Sequence, residues 1–138
     1  MEQRLSFITL GVHDFDAMKH WYIHTFGWQP VKDDQGICFF KLNGIILALY
    51  PADELAADIG IPQDGSGFRR FSLSMNFHSE DAVREAMQTL QSRGARIILN
   101  AEPVFWGGFR GYIADPEDNY WELAYNPFMP LDEKGNIA

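Results

Sequence analysis

Cysteine is almost missing from this chain: Cys38 is the one thiol in 138 residues. No internal disulfide can form, which fits a reducing, cytoplasmic setting. Cys38 lies in the apolar run Ile37-Cys38-Phe39-Phe40, so it reads as a buried and inert thiol. Positive charge is scarce as well. Eleven Lys and Arg stand against nineteen Asp and Glu, a net charge of -8. That balance argues against nucleic acid, whose phosphates need clustered cations. It also argues against anionic membrane surfaces. A cationic or neutral small ligand is the partner class it tolerates best. Long hydrophobic runs are absent too: no stretch approaches the roughly 20 apolar residues of a membrane span. The opening MEQRLSF lacks the basic flank and apolar core of a signal peptide.

What is abundant is apolar and aromatic surface, 46% and 14% of residues respectively. A chain of this length buries about two-thirds of its unfolded surface, enough for one compact domain over 1–138.

Two rounds of one pattern run along it. Leu5 to Val12 reads as a buried strand. Asp14 and Asp16 open a helix by accepting first-turn amides. Phe15, Met18, Tyr22 and Phe26 give it an apolar stripe, and Gly27 stops it. Strands are expected over Trp28 to Lys32, Ile37 to Leu42 and Ile45 to Tyr50. Asp33-Asp34-Gln35-Gly36 and Asn43-Gly44 mark the turns between them. Residues 52–68 read as a polar linker with a short helical turn at Ala52 to Asp58. The pattern then restarts. Phe71 to Phe77 is a strand, Ser79 caps a helix carrying Ala82, Val83, Ala86, Met87 and Leu90, and Gly94 ends it. Strands follow at Ala95 to Leu99, Phe109 to Ala114 and Tyr120 to Tyr125. The fold class is therefore α+β: two βαβββ modules, about 4–51 and 69–127, with a tail at 128–138. Joined, they would make a curved mixed sheet with helices on the convex face and a ligand-binding cup on the other. The tail, rich in Pro, Asp, Glu, Lys and Gly, is expected to wrap a surface or stay partly disordered.

Three segments are similar to one known group: LGVHDFDAMKHWYIHTFGW, LYPADELAADIG and WGGFRGYIADPEDNYWELAYNP. Together they resemble the vicinal oxygen chelate superfamily, which includes glyoxalase I, extradiol dioxygenases, fosfomycin-resistance enzymes and bleomycin-resistance proteins. The likeness covers about residues 4 to 127 and is nearest to a glyoxalase-like branch. In metal-dependent members it implies four cup-facing ligands: a His in strand one, a Glu late in the first half, a His in strand five and a Glu in strand eight. The last maps to Glu122. The others map to Phe7, to Ile46 or Leu47, and to Ser72. Only one donor of the expected set survives, while a divalent ion needs about three or four nitrogen or oxygen ligands. The expectation is no metal and no other cofactor.

Strand alternation supplies the rest of the site. With Glu122 facing the cup, Tyr120 faces it too, while Trp121, Leu123 and Tyr125 face the helices. On strand seven, Arg110 and Tyr112 should share the Glu122 face, and one of them should hydrogen-bond it, because a carboxylate among aromatic groups needs a partner. The expected ligand-binding residues are Phe7, Thr9, Tyr50, Ser72, Ser74, Asn76, Trp106, Arg110, Tyr112, Tyr120 and Glu122, with Gly11 at the same face. Glu122 is also the one candidate catalytic base. Trp106, in Trp106-Gly107-Gly108-Phe109, either walls the cup or anchors a hairpin.

The histidines give less. His20 and His24 stand one helical turn apart without an evident third ligand. His13 and His78 occupy matching places in the two repeats and read as loop-capping groups or a substitute site. The main functional expectation is metal-free binding of a small organic molecule, as bleomycin-resistance proteins do, in a homodimer as the superfamily often forms. The alternative is a metal-dependent lyase or dioxygenase using Glu122 as ligand or base.

Overall fold

The computed structural model describes residues 3, 6–34, 36–60, 62–69 and 71–138. The chain divides into two compact units, Met1–Arg69 and Arg70–Ala138. Each holds a four-stranded mixed sheet of the same topology.

The first unit runs β1 (Phe7–Val12), α1 (Phe15–Thr25), β2 (Lys32–Asp34), β3 (Ile37–Lys41), β4 (Ile46–Pro51) and α2 (Ala52–Ile59). Its sheet order is β1-β4-β3-β2, with β1 parallel to β4 and the other pairs antiparallel. The Asp14 carboxylate caps α1 by accepting from the Ala17 amide. Met18, Trp21 and Tyr22 of that helix are buried, and the Tyr22 ring meets Phe40 of β3. Leu10, Val12, Cys38, Leu47 and Leu49 complete this core face. Burial pushes the Cys38 thiol up to about 11, which makes it inert at neutral pH.

The second unit runs β5 (Leu73–Asn76), α3 (Glu80–Ser92), β6 (Arg96–Pro103), β7 (Phe109–Ala114) and β8 (Tyr120–Tyr125). Its order is β5-β8-β7-β6, with β5 parallel to β8. Ser79 caps α3 through the Ala82 amide. Val83, Met87, Phe109, Ile113, Trp121 and Leu123 form the core, and the Arg84 guanidinium lies 4.2 Å from the Phe109 ring centre. Gly111 permits the tight approach of α3: a Cβ there would fall 2.7 Å from Met87 Cε. Among the described residues no helix is long and apolar enough to cross a membrane.

Several expectations need correction. The first strand begins at Phe7, and Leu5 lies outside the described residues. The strand expected over Trp28 to Lys32 sits instead at Lys32–Asp34. Pro30 has no amide to donate, so the ladder starts with the Val31 amide on the Phe39 carbonyl, and Trp28 packs among Tyr22, Phe26 and Phe40. The predicted Asp33–Gly36 turn thus shrinks to its Gly36 end, with Gln35 outside the described residues. The fifth strand is shorter than Phe71 to Phe77, leaving Ser72 just before it. The sixth runs to Pro103 rather than Leu99, because irregularities between Ile97 and Leu99 and between Leu99 and Glu102 break the alternation.

The linker also carries more structure than a short turn. Helix α2 runs to Ile59, and Gly60, in the left-handed region, closes it on the Ala56 and Ala57 carbonyls. It lies against β1: a Cβ on Gly11 would come within 3.1 Å of Leu55 Cδ2 and 3.3 Å of Ala52 Cα. Gly11 therefore serves helix packing and not a ligand face.

The tail closes on itself. Leu131 bridges Ile137, and Asp132 ties the turn between them: its Oδ1 accepts from the Lys134 and Asn136 amides, and its Oδ2 from Asn136 Nδ2. The β7–β8 turn is built the same way. Asp115 Oδ1 accepts from the Glu117 and Asn119 amides, and Oδ2 from Asn119 Nδ2. Each turn places a left-handed residue just before its Asn, Asp118 in one and Gly135 in the other.

Candidate functional site

The Asp115–Asn119 turn, buried at its two end residues, delivers the chain into β8 in a fixed phase. From there alternation decides the faces. Trp121 and Leu123 turn into the core, and Glu122 turns to the other side, half-buried. Its register partners are Tyr112 on β7 and Ser74 on β5.

Both partners donate to it. The Tyr112 hydroxyl meets Glu122 Oε2 at 2.9 Å, and Ser74 Oγ meets Oε1 at 2.9 Å. Ser74 Oγ also lies 3.4 Å from Asn76 Oδ1, a long contact. Ser72 is a further hydrogen-bond partner of the Tyr112 phenol. Burial first, then the hydrogen bond and charge of Glu122, pushes that phenol above its ordinary value; the Ser72 bond and the Arg110 charge oppose the shift only in part. Tyr112 is thus a neutral donor over the whole physiological range.

Of the two partners expected for Glu122, Tyr112 is the one that binds it. Arg110 shares the face but stands one step along, opposite Ala124, and its guanidinium pairs with Glu102 of β6 at 3.2 Å. It also sits 5.9 Å from the Tyr112 ring centre. Glu102 escaped the sequence reading because the strand was ended at Leu99. Tyr120 is half-buried and, two residues from Glu122, shares its face. Trp106 lies in the β6–β7 turn with its indole folded onto Gly108, where a Cβ would overlap two ring carbons at 1.9 Å. Gly107 takes a positive φ of 95° in the same turn. The indole thus packs within its own hairpin, as an anchor of that turn would.

Phe7, Thr9 and Tyr50 belong to the first unit. They lie on the face of the β1–β4 pair turned away from α1, in register with Ile46, Ala48 and Gly11 respectively. The Phe7 ring meets Phe39 edge-on at 5.3 Å. Alternation along β3 would have found Phe39, had that strand been read face by face. Tyr50 hydrogen-bonds Glu54 of α2, and this bond is the main cause that raises its phenol.

The register also corrects one correspondence between the repeats. Thr9 pairs with Ala48 as Ser74 pairs with Glu122, and Ala48 pairs with Phe39 as Glu122 pairs with Tyr112. The counterpart of Glu122 in the first unit is therefore Ala48, and neither Ile46 nor Leu47. Leu47 points into the α1 core with no exposure.

A divalent metal does not fit these residues. Phe7 and Ala48 offer no donor atom, and Glu122 is surrounded by neutral hydroxyls. Among the described residues no three His, Cys, Asp or Glu side chains group as a metal would require. The His20 and His24 rings stack at 5.5 Å, nearly parallel, rather than converging on a point.

Known structures share this architecture. A glyoxalase-related enzyme from Fulvimarina pelagi is 34% identical, with a TM-score of 0.87 over 99% of this chain and 98% of that one. A glyoxalase/bleomycin resistance protein/dioxygenase from Nocardioides is 21% identical, with a TM-score of 0.79 over 91% and 84%. A lactoylglutathione lyase from Agrobacterium tumefaciens, 23% identical with a TM-score of 0.67 over 91% and 96%, shares the fold. No curated protein matches the chain significantly. The sequence profile of one superfamily matches residues 4–123, most of the chain. With the paired βαβββ topology, that match places the protein in the Glyoxalase/Bleomycin resistance protein/Dioxygenase superfamily.

Proposed function

We propose that this protein binds a small organic molecule at the Glu122 face of its second unit, without a metal ion and without obligatory chemistry. The observation that carries the reading is the pairing of Glu122 with Tyr112 and Ser74, two neutral donors, where a metal site would need imidazoles and a second acid. The face offers a carboxylate, an amide at Asn76, hydroxyls and the Tyr112 and Tyr120 rings, a mixture suited to orienting a small molecule. A single cysteine, which can form no internal disulfide, is compatible with a cytoplasmic setting. Phe105, Phe128 and Met129, all exposed on the second unit, supply apolar surface for a second copy of the chain in a homodimer.

Two measurements test this. Protein purified without chelator or affinity tag should carry far less than one equivalent of zinc, nickel, iron or manganese. Stoichiometric metal that disappears in Glu122→Gln would overturn the proposal in favour of a metal-dependent lyase or dioxygenase. A thermal-shift panel of small organic molecules should give hits. A ligand at about 100 times its Kd stabilises the folded state by roughly 2.7 kcal/mol, an easily read shift.

A further inference from the structure

The polarity of the hydrogen bonds around Glu122 narrows the ligand further. A carboxylate oxygen has about two acceptor sites, and here each oxygen receives one neutral donor. One site on each remains. Among the described residues no cation is ion-paired with Glu122, since the cation sharing its face, Arg110, is committed to Glu102. The negative charge of the face is therefore uncompensated by an ion-pair partner there.

The two hydroxyl donors that flank the acid are also engaged. Tyr112 gives its proton to Glu122 while receiving the Ser72 bond on its oxygen. Ser74 gives its proton to the other carboxylate oxygen. A ligand group arriving at Glu122 finds acceptors and must bring donors. An anionic group would meet like charge, and a bare carbonyl would find no proton to accept from Tyr112 or Ser74. Asn76, adjacent to Ser74, supplies an amide that can hold a second polar atom.

We infer that Glu122 receives the cationic, donor-bearing head group of the ligand, an amidinium or a primary ammonium attached to an apolar body. This rests on the small-molecule reading above and adds the charge of the ligand to it. A planar amidinium matches best, because its two parallel N–H bonds fit the two remaining acceptor sites in a bidentate pair.

The test uses benzamidine, benzamide and benzoate, which share a ring and differ in charge. Each is titrated calorimetrically into the whole, EDTA-treated protein. Benzamidine should bind at least about tenfold more tightly than benzamide, and benzoate should not bind. Glu122→Gln should weaken benzamidine by about 10- to 100-fold, the loss expected for a charge-assisted hydrogen bond, and leave benzamide little changed. If that variant does not fold, the wild-type series decides alone: the preference for benzamidine must shrink as salt rises from 0.05 to about 0.5 M. Equal or tighter binding of benzamide, or any preference for benzoate, overturns the charge assignment and leaves small-molecule binding standing. Silence from benzamidine at millimolar concentration also overturns it, and silence from the neutral thermal-shift panel as well removes both readings.

Discussion

Ala48 and Glu122 hold the same place in two copies of one topology. Ala48 has Thr9 on one side and Phe39 on the other. Glu122 has Ser74 and Tyr112. Phe39 and Tyr112 differ by a hydroxyl, and that hydroxyl is the one that donates to the acid. Behind each strand the core faces are alike in kind, with Leu47 and Leu49 in one unit and Trp121 and Leu123 in the other. The comparison teaches that the core faces of the two sheets are alike while the opposite faces differ, buried and apolar at Ala48 but half-buried and polar at Glu122. A carboxylate is then tolerable only where its strand neighbours bring donors.

The strongest way to break this comparison is to move the acid. Ala48→Glu places a carboxylate at a position only 2% exposed, beside Phe39 rather than a phenol. We expect a loss of about 3–5 kcal/mol in chemical denaturation. Adding Phe39→Tyr should restore about 1 kcal/mol or more, the worth of one hydrogen bond to a charged group. No recovery in the double variant would mean that the two halves are not equivalent at this position.

A second comparison lies between the twin Asp–Asn turns. Asp115 and Asn119 are buried, whereas the Asp132 turn is open to solvent. Asp115→Ala strands buried amides and should cost about 2–3 kcal/mol. Asp132→Ala should leave global stability nearly unchanged and speed amide exchange at Lys134 and Asn136. The side-chain and backbone bonds from Asn136 hold the Asp132 carboxyl below its ordinary 3.8. Its contribution is therefore present above that value and is lost as pH falls through the lowered one, so the tail should loosen locally in acid before the rest unfolds.

A smaller effect than that of Asp115 concerns Tyr112. Its phenol is raised, so its contribution to stability is complete below the ordinary tyrosine value near 10 and fades as pH climbs through the folded-state value. Tyr112→Phe should cost about 1 kcal/mol at neutral pH and flatten the alkaline limb of the stability profile. An unchanged alkaline limb would remove Tyr112 as the donor to Glu122.

Much of this was legible in the residues. The caps at Asp14 and Ser79, the helices they open, and the β7 and β8 strands were all readable, because capping and two-residue alternation act within a few neighbours. Glu122 was placed on the face away from the core by the same alternation, and Tyr112 was one of its two named partners. The misreadings cluster where a strand meets a distant one. The strand at Lys32–Asp34 was displaced by Pro30, the sixth strand was cut short at its irregularities, and the counterpart of Glu122 was put at Ile46 or Leu47 instead of Ala48.

The sequence by itself determined the doubled strand–helix–strand order, the apolar core faces and the acid left facing away from the core in β8, since each follows from local periodicity and from the cost of burying charge. Only the tertiary structure decided that Tyr112 and Ser74, rather than Arg110, hold that acid, that α2 closes on Gly11, and that Ala48 is its counterpart. Those outcomes depend on inter-strand register and on helix packing, which are set when segments far apart in the chain assemble into a sheet.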